Sequence, residues 1–188
     1  MIIAVDGPTA SGKGTISKAL AAHFGLPHLD TGLLYRAVGR QVFLDGGDPD
    51  NAGDALAATA FPDGLLADPH LRDEDTGGLA SRVSVHPAVR HALFKRQRAF
   101  AMQPGGAVLD GRDIGTVIAP EMQDRGSSVT LKEIADNLRR RDERDSMRAA
   151  APLKPAKDAF VIDTSLLDRD HAFDAALDAV ARATGKRC

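Results

Sequence analysis

The apolar positions of this chain fall into short blocks of two kinds, and the two kinds alternate. Ile2, Ile3, Ala4 and Val5 form an unbroken apolar run that ends at Asp6 and a glycine. A run this short, bounded by a turn signal, predicts a buried strand. Ile16, Ala19, Leu20 and Phe24 then recur at helical spacing, and Gly25 with Pro27 closes that helix. Residues 28–30 read as a second short strand, and residues 33–45 as a helix stopped by Gly46 and Gly47. Pro87 opens a longer helix to about residue 102, with Val89, Leu93, Phe94 and Phe100 inward. Residues 107–110 predict another buried strand, residues 160–163 a last one, and residues 170–183 a closing helix with Phe173, Leu177 and Val180 inward.

Two stretches are less regular. Residues 48–82 are richer in Asp, Pro and Gly and read as a partly helical insertion with loops and short hairpins. Residues 130–148 carry a helical period, with Leu131, Ile134 and Leu138 apolar and most of the rest charged. Strands alternating with helices predict an α/β fold, a parallel sheet with helices on both faces.

Composition narrows the class without changing this picture. A chain of 188 residues that is 43% hydrophobic forms one domain, or one core carrying a small mobile subdomain, and needs no disulfide or metal staple. The single cysteine, Cys188, cannot build a disulfide framework within one chain, which suits a reducing cytoplasm. No run approaches the roughly 18 apolar residues of a membrane span, and Met1 with the residues after it reads as a strand, not a signal peptide. A net charge of −2 points to neither nucleic acid nor acidic membranes as partners. His23, His28, His70, His86, His91 and His171 show no metal-ligand spacing, so no metal site is expected from side chains.

The strongest chemical signal is Gly7-Pro8-Thr9-Ala10-Ser11-Gly12-Lys13-Gly14-Thr15, directly after one strand and directly before a helix. Its glycines let successive N–H groups curl around a phosphate, the helix N-terminus adds its dipole, and Lys13 brings a full positive charge. Thr15 offers a hydroxyl and an amide. The motif departs from the strict G-x-x-x-x-G-K-[ST] pattern, because Gly14 stands where a magnesium-binding hydroxyl usually sits. An ion that dehydrates reluctantly can instead be held through phosphates and waters. The G-K-G-T ending is similar to that of the nucleoside monophosphate kinases among P-loop proteins.

Later segments resemble the bacterial cytidylate kinase family. Leu29-Asp30-Thr31-Gly32-Leu33-Leu34-Tyr35-Arg36 resembles its L-D-[ST]-G-x-L-Y-R element, and Asp110-Gly111-Arg112-Asp113-Ile114-Gly115-Thr116 resembles its D-G-R-D-[IM]-G-T motif. Ser81-Arg82-Val83-Ser84-Val85-His86-Pro87-Ala88-Val89-Arg90 is similar to the segment leading into its long helix. Arg141-Asp142-Glu143-Arg144-Asp145-Ser146-Met147-Arg148 is similar to its basic helix, and Ala151-Pro152-Leu153 to the segment after that helix. The resemblance runs over nearly the whole chain. It implies one P-loop kinase domain over residues 1–188, with a nucleotide-binding insertion near residues 48–82 and a lid-side region near residues 123–148. It implies a monomer that uses ATP with Mg²⁺ and takes CMP or dCMP as acceptor.

An acceptor monophosphate carries about two negative charges and must approach another polyanion, so several arginines are needed to neutralise it. Arg36, Arg90, Arg112, Arg141 and Arg148 are the candidates, and Arg141, Asp145 and Arg148 share one face of a helix. Taken alone, a run such as residues 139–148 is an exposed helix laced with salt bridges. Residues 95–98 have no matching family site and read as a solvated face. On spacing alone, Ser81 and Thr31 read as ordinary loop residues. By the resemblance, Asp145 and Ser81 read the cytosine edge, Asp113 contacts the sugar hydroxyls, and Thr31 holds the base or the phosphate end. Lys13, Arg112 and Arg141 surround the transferred phosphoryl group. Two alternatives remain at this point: a P-loop kinase for another small acceptor such as UMP or AMP, or a nucleotide-binding protein without turnover.

One departure matters. Members of the family carry a further buried strand and an arginine-rich helix after the Pro120 region, whereas here Ala119-Pro120-Glu121 runs almost directly into Met122-Gln123-Asp124-Arg125-Gly126. A unit of about 20–25 residues is missing, judged by the size of such crossovers, and some ATP-facing arginines go with it. An interior strand cannot simply be lost, because its neighbours would expose unpaired backbone groups. The sheet therefore needs either a strand from elsewhere in the chain or, as is expected here, residues beyond those written between Glu121 and Met122.

Overall fold

Five short strands pair in parallel in the order β2-β3-β1-β4-β5. They are β1 (Ile2–Asp6), β2 (His28–Asp30), β3 (Ala107–Gly111), β4 (Ser128–Lys132) and β5 (Phe160–Asp163). The structure is a computed structural model that describes residues 1–8, 10–119, 154–185 and, as backbone, 128–132. The chain divides into two compact units, one formed by Met1–Asp30 with Arg98–Cys188 and the other by Thr31–Gln97.

The first unit holds the sheet and, with it, the helices α1 (Lys13–Phe24) and α6 (Arg169–Thr184). Alternation along β1 sends Ile3 and Val5 to one face. There they meet Val108 of β3, Ile16, Leu20 and Ala21 of α1, and Ala172, Ala176, Ala179 and Val180 of α6. Each large aliphatic side chain fully buried in such a cluster contributes about 1.5–3 kcal/mol. Helix α1 stops where Gly25 takes a left-handed conformation, φ 63°, a turn that a side chain would oppose. Helix α6 starts on Asp168, whose carboxylate accepts from the Asp170 and His171 amides.

The second unit is helical: α2 (Thr31–Leu44), α3 (Ala52–Ala57), three 3₁₀ turns, α4 (Glu74–Val83) and the larger part of α5 (Pro87–Ala101). Gly39 lets α2 lie directly on α4, since a Cβ there would stand 2.7 Å from Leu79 Cβ. Between them run loops tied by side chains. Arg82 grips Asp50 with both Nε and NH2, at 2.8 and 2.5 Å, and Arg40 Nε donates to Asp68 Oδ2 at 3.2 Å. The insertion is built from helical turns, without hairpins among the described residues.

The fold class expected from the alternation is the one observed, a parallel sheet flanked by helices. Strands β1 and β5 begin and end where the pattern placed them, and β3 runs one residue further. Three readings need correction. Residues 130–132, taken as the start of a helix, lie in β4, which pairs with β1 from Ala4↔Ser128 to Asp6↔Thr130 and with β5 from Val129↔Phe160 to Lys132↔Asp163. An open edge on β1 is a stronger demand than a helical period, and Val129 and Thr130 suit a strand. Residues 95–98 are not a plain solvated face. Gln97 is buried, Arg98 NH1 donates to the Ile118 carbonyl at 2.9 Å, and Arg96 stacks on Phe61. Thr31 and Ser81, read as loop residues, are helical, at the start of α2 and in the last turns of α4.

Candidate active site

Strands β1 and β3 run side by side in register, from Ile2↔Ala107 to Asp6↔Gly111, so their following loops leave the same carboxyl edge of the sheet. That edge is where open parallel sheets bind ligands. One loop is the glycine-rich segment, the other is Arg112-Asp113-Ile114-Gly115.

The glycine-rich loop is wound tightly. Ala10 has φ 60° and Gly12 φ 76°. A positive φ is strained for alanine, of order 1 kcal/mol, and such strain clusters at ligand sites. Gly12 caps α1, its carbonyl accepting from the amides of Thr15 and Ile16 at 2.9 and 3.2 Å. Lys13 Nζ folds back on the Pro8 carbonyl at 3.0 Å, a neutral acceptor that an anionic phosphate oxygen outcompetes. Ser11 is 2% exposed, and its Oγ has no partner among the described residues. A helix N-terminus, a lysine and an orphaned hydroxyl together fit a phosphate chain. Gly7, Pro8, Gly14 and Thr15 take their places in this loop, and Thr9 lies outside the described residues. Gly14 brings no side chain, and no cluster of three or more His, Cys, Asp or Glu suited to a metal occurs among the described residues.

The second loop is a π-type turn over Ile114–Ile118, closed by Val117, Ile118 and Ala119 amides on the carbonyls of Asp113 and Ile114 at 2.8–3.3 Å. Such turns are rare and recur at functional sites. Asp113 is buried and stands at its start, and Arg112 is half-buried beside it. Asp6, the last residue of β1, reaches across. Its Oδ1 accepts from Ile114 N and its Oδ2 from Gly115 N, each at 2.9 Å. Burial pushes the Asp6 carboxyl up to about 7. The two amides and Lys13 draw it down, and Asp113 raises it further. One strand away, His28 Nε2 donates to Asp110 Oδ2 at 2.7 Å.

Arg36, Arg90, Ser81 and Thr31 lie in the second unit. Arg36 NH1 donates to the carbonyls of Leu71 and Asp73 at 2.7 and 2.9 Å, which fixes its guanidinium at the foot of α4. Arg90 stacks over Tyr35, 5.7 Å from the ring centre. Ser81 Oγ donates to Gly77 O at 3.2 Å, and Thr31 is 3% exposed. Arg141, Asp145 and Arg148 fall outside the described residues. Sequence reasoning passed over Asp6 and His28. The available signal for Asp6 was an acidic residue closing an otherwise apolar strand immediately before a phosphate loop.

The cytidylate kinase family profile matches residues 3–123 and 119–182. Cytidylate kinase of Xanthobacter autotrophicus is 49% identical over 208 positions, covering 99% of this chain and 100% of that protein. Those of Methylocella silvestris and a Caulobacter species are 49% and 48% identical, covering 94% and 93% of this chain and 92% and 91% of theirs. The first alignment has 208 positions against 188 residues here, an excess of 20. The two stretches of the family match overlap at residues 119–123, where the sequence departs from the family pattern. Fold, phosphate loop and near full-length similarity agree: the chain belongs to the cytidylate kinase family.

Proposed function

We propose that this chain transfers the γ-phosphoryl group of ATP to CMP or dCMP, giving ADP and CDP or dCDP. The observation that carries the reading is the register of β1 and β3, which delivers the G-K-G-T loop and the D-G-R-D-I-G-T loop to one edge of the sheet. An oxygen of the acceptor phosphate attacks the γ-phosphorus, and the bond from that phosphorus to the β,γ-bridging oxygen breaks, with the electron pair leaving on ADP. The attacking oxygen is already anionic, so no strong general base is required, and catalysis is positioning and charge neutralisation.

Gly7, Pro8, Thr9, Ala10, Ser11, Gly12, Gly14 and Thr15 cradle the ATP phosphates, and Lys13 leaves the Pro8 carbonyl for the charge that develops on the transferred group. Arg112 and Arg141 neutralise that group from the acceptor side. Arg36, Arg90 and Arg148 hold the CMP phosphate, Ser81 and Asp145 the cytosine edge, Asp113 the sugar hydroxyls, and Thr31 the base or phosphate end. When bound, magnesium would be held through phosphates and waters and would shield the negative charge of the phosphate chain. The partners are small molecules, with neither nucleic acid nor membrane among them, and the setting is a monomer in the cytoplasm. No helix of the described residues is long and apolar enough to cross a membrane. ADP release from ATP, measured with CMP, dCMP, UMP and AMP in turn, tests the reading. Turnover is expected with CMP and dCMP. Turnover with AMP alone, or with none of the four, overturns it.

A further inference from the structure

Asp6 is 2% exposed, at the end of a strand whose other inward residues are apolar. A carboxyl group in such a place is expensive, and a neutral polar side chain could cap one turn at lower cost. What the carboxylate does that a neutral group cannot is accept with both oxygens at once. Its two donors, Ile114 N and Gly115 N, are consecutive amides that directly follow Asp113. An asparagine there has a single oxygen and would turn its NH₂ towards the other amide. Beside these two bonds, Gly7 N donates to Gly111 O at 3.2 Å. Three hydrogen bonds thus lace the root of the phosphate loop to the root of the Arg112 and Asp113 loop.

We propose that Asp6 is a positioning residue: as a carboxylate it locks the turn that carries Arg112 and Asp113 to the root of the phosphate loop, so that Lys13 and the acceptor-side groups are held in one frame. The inference rests on the reading above, in which Lys13 serves the donor and Arg112 and Asp113 the acceptor. Among the described residues, two charged groups act on Asp6. Lys13, from the first turn of α1, favours the ionised form, and Asp113, from the turn itself, opposes it. Burial sets the balance near neutrality, so the lock engages as pH rises through about 7. A frame displaced by about 1 Å loses up to about 10²-fold in rate.

The test compares the wild-type chain with Asp6→Asn in the ADP-release assay with ATP and CMP across the neutral pH range. In the variant, kcat is expected to drop about 10- to 100-fold while both KM values stay within about threefold. Wild-type kcat rises through about pH 7 and then levels, and the variant lacks that inflection. A merely structural role would lower the melting temperature and leave the inflection in place. A variant with wild-type kcat and the same inflection overturns the proposal. Hydrogen exchange reads the same lock without an acceptor: ATP alone slows the Ile114 and Gly115 amides in the wild type and not in Asp6→Asn. Equal slowing in both proteins overturns the lock, whereas failure of the wild type to turn over CMP counts only against the kinase reading. If Asp6→Asn does not fold, the Ile114 and Gly115 amide resonances of the wild type are followed with pH. They are expected to shift together with an apparent pKa near 7, and shifts that share no ionisation overturn the proposal.

Discussion

Strands β3 and β4 lie on either side of β1, and they hold it differently. β3 pairs with β1 at five positions and β4 at three. Ala107, Val108 and Leu109 of β3 have no exposed surface. Beyond the strand ends, the Gly7 amide and the Asp6 carboxylate extend the pairing to Gly111, Ile114 and Gly115. Outward from β4 the sheet ends at β5, where Phe160 and Ile162 are half-buried and Val161 is 59% exposed. The two loops that carry Lys13, Arg112 and Asp113 grow from the side where both strand and loop are fixed.

The largest expected effect that separates the two sides lies at Asp6. Its pKa is 3.8 in an ordinary setting and about 7 when folded. Between those values the folded protein keeps a proton that the unfolded chain has released. Stability from this group is therefore fully present below about pH 4, is lost as pH rises through 7, and is flat above. The loss is of order 4 kcal/mol. Urea unfolding of wild type and Asp6→Asn at several pH values checks this, because the difference between them is expected to fall across that window. A difference that does not change with pH would mean that Asp6 ionises alike in both states. Next comes Leu109→Ala in β3, expected to cost about 3 kcal/mol by the same measurement, because a fully buried side chain leaves a cavity.

The β3 side was also the legible one. An unbroken apolar run, a glycine-rich loop and a D-G-R-D string are local signals, and each sits where its own residues demand. Helices α1, α2, α5 and α6 announced themselves through spacing and stop signals such as Gly25, whereas α3 and α4 lie in the stretch read only as a partly helical insertion. β4 was not legible, because Ser128–Lys132 is a strand only by virtue of its neighbours. In sequence it opens a stretch of helical period, and in the structure it pairs with β1 on one side and β5 on the other. Asp6 was hidden for a related reason. Its partners lie 108 and 109 residues away, and no spacing rule connects them. Thr31 and Ser81 were misplaced because each lies near one end of its helix, where spacing alone does not separate helix from loop.

Thr130→Pro tests the β4 side directly, since the two accounts of that segment disagree about it. Thr130 pairs with Asp6 on one side and Val161 on the other. Proline in an interior strand removes a ladder donor, and a loss of about 2 kcal/mol is expected in urea unfolding. At the first turn of a helix the same proline is tolerated. Unchanged stability would therefore restore the helical reading of residues 130–132.

The smallest effect is expected at the outer strand. Val161 pairs with Thr130 and points away from the side on which Phe160 and Ile162 meet the core of α1 and α6. With 59% of its surface in water, it gives up little when its methyl becomes a hydroxyl, and threonine keeps the β-branched shape that a strand prefers. Val161→Thr is expected to change unfolding free energy by no more than about 0.5 kcal/mol. Val108→Thr, the same exchange at a fully buried position of β3, puts a hydroxyl into the core and is expected to cost about 1–3 kcal/mol. The ratio of the two measures how far the sheet's packing fades from β3 to β5. Equal costs would mean that the outer face of β5 is covered as thoroughly as β3, and the contrast between the two sides of β1 would then rest on pairing and loop bonds alone.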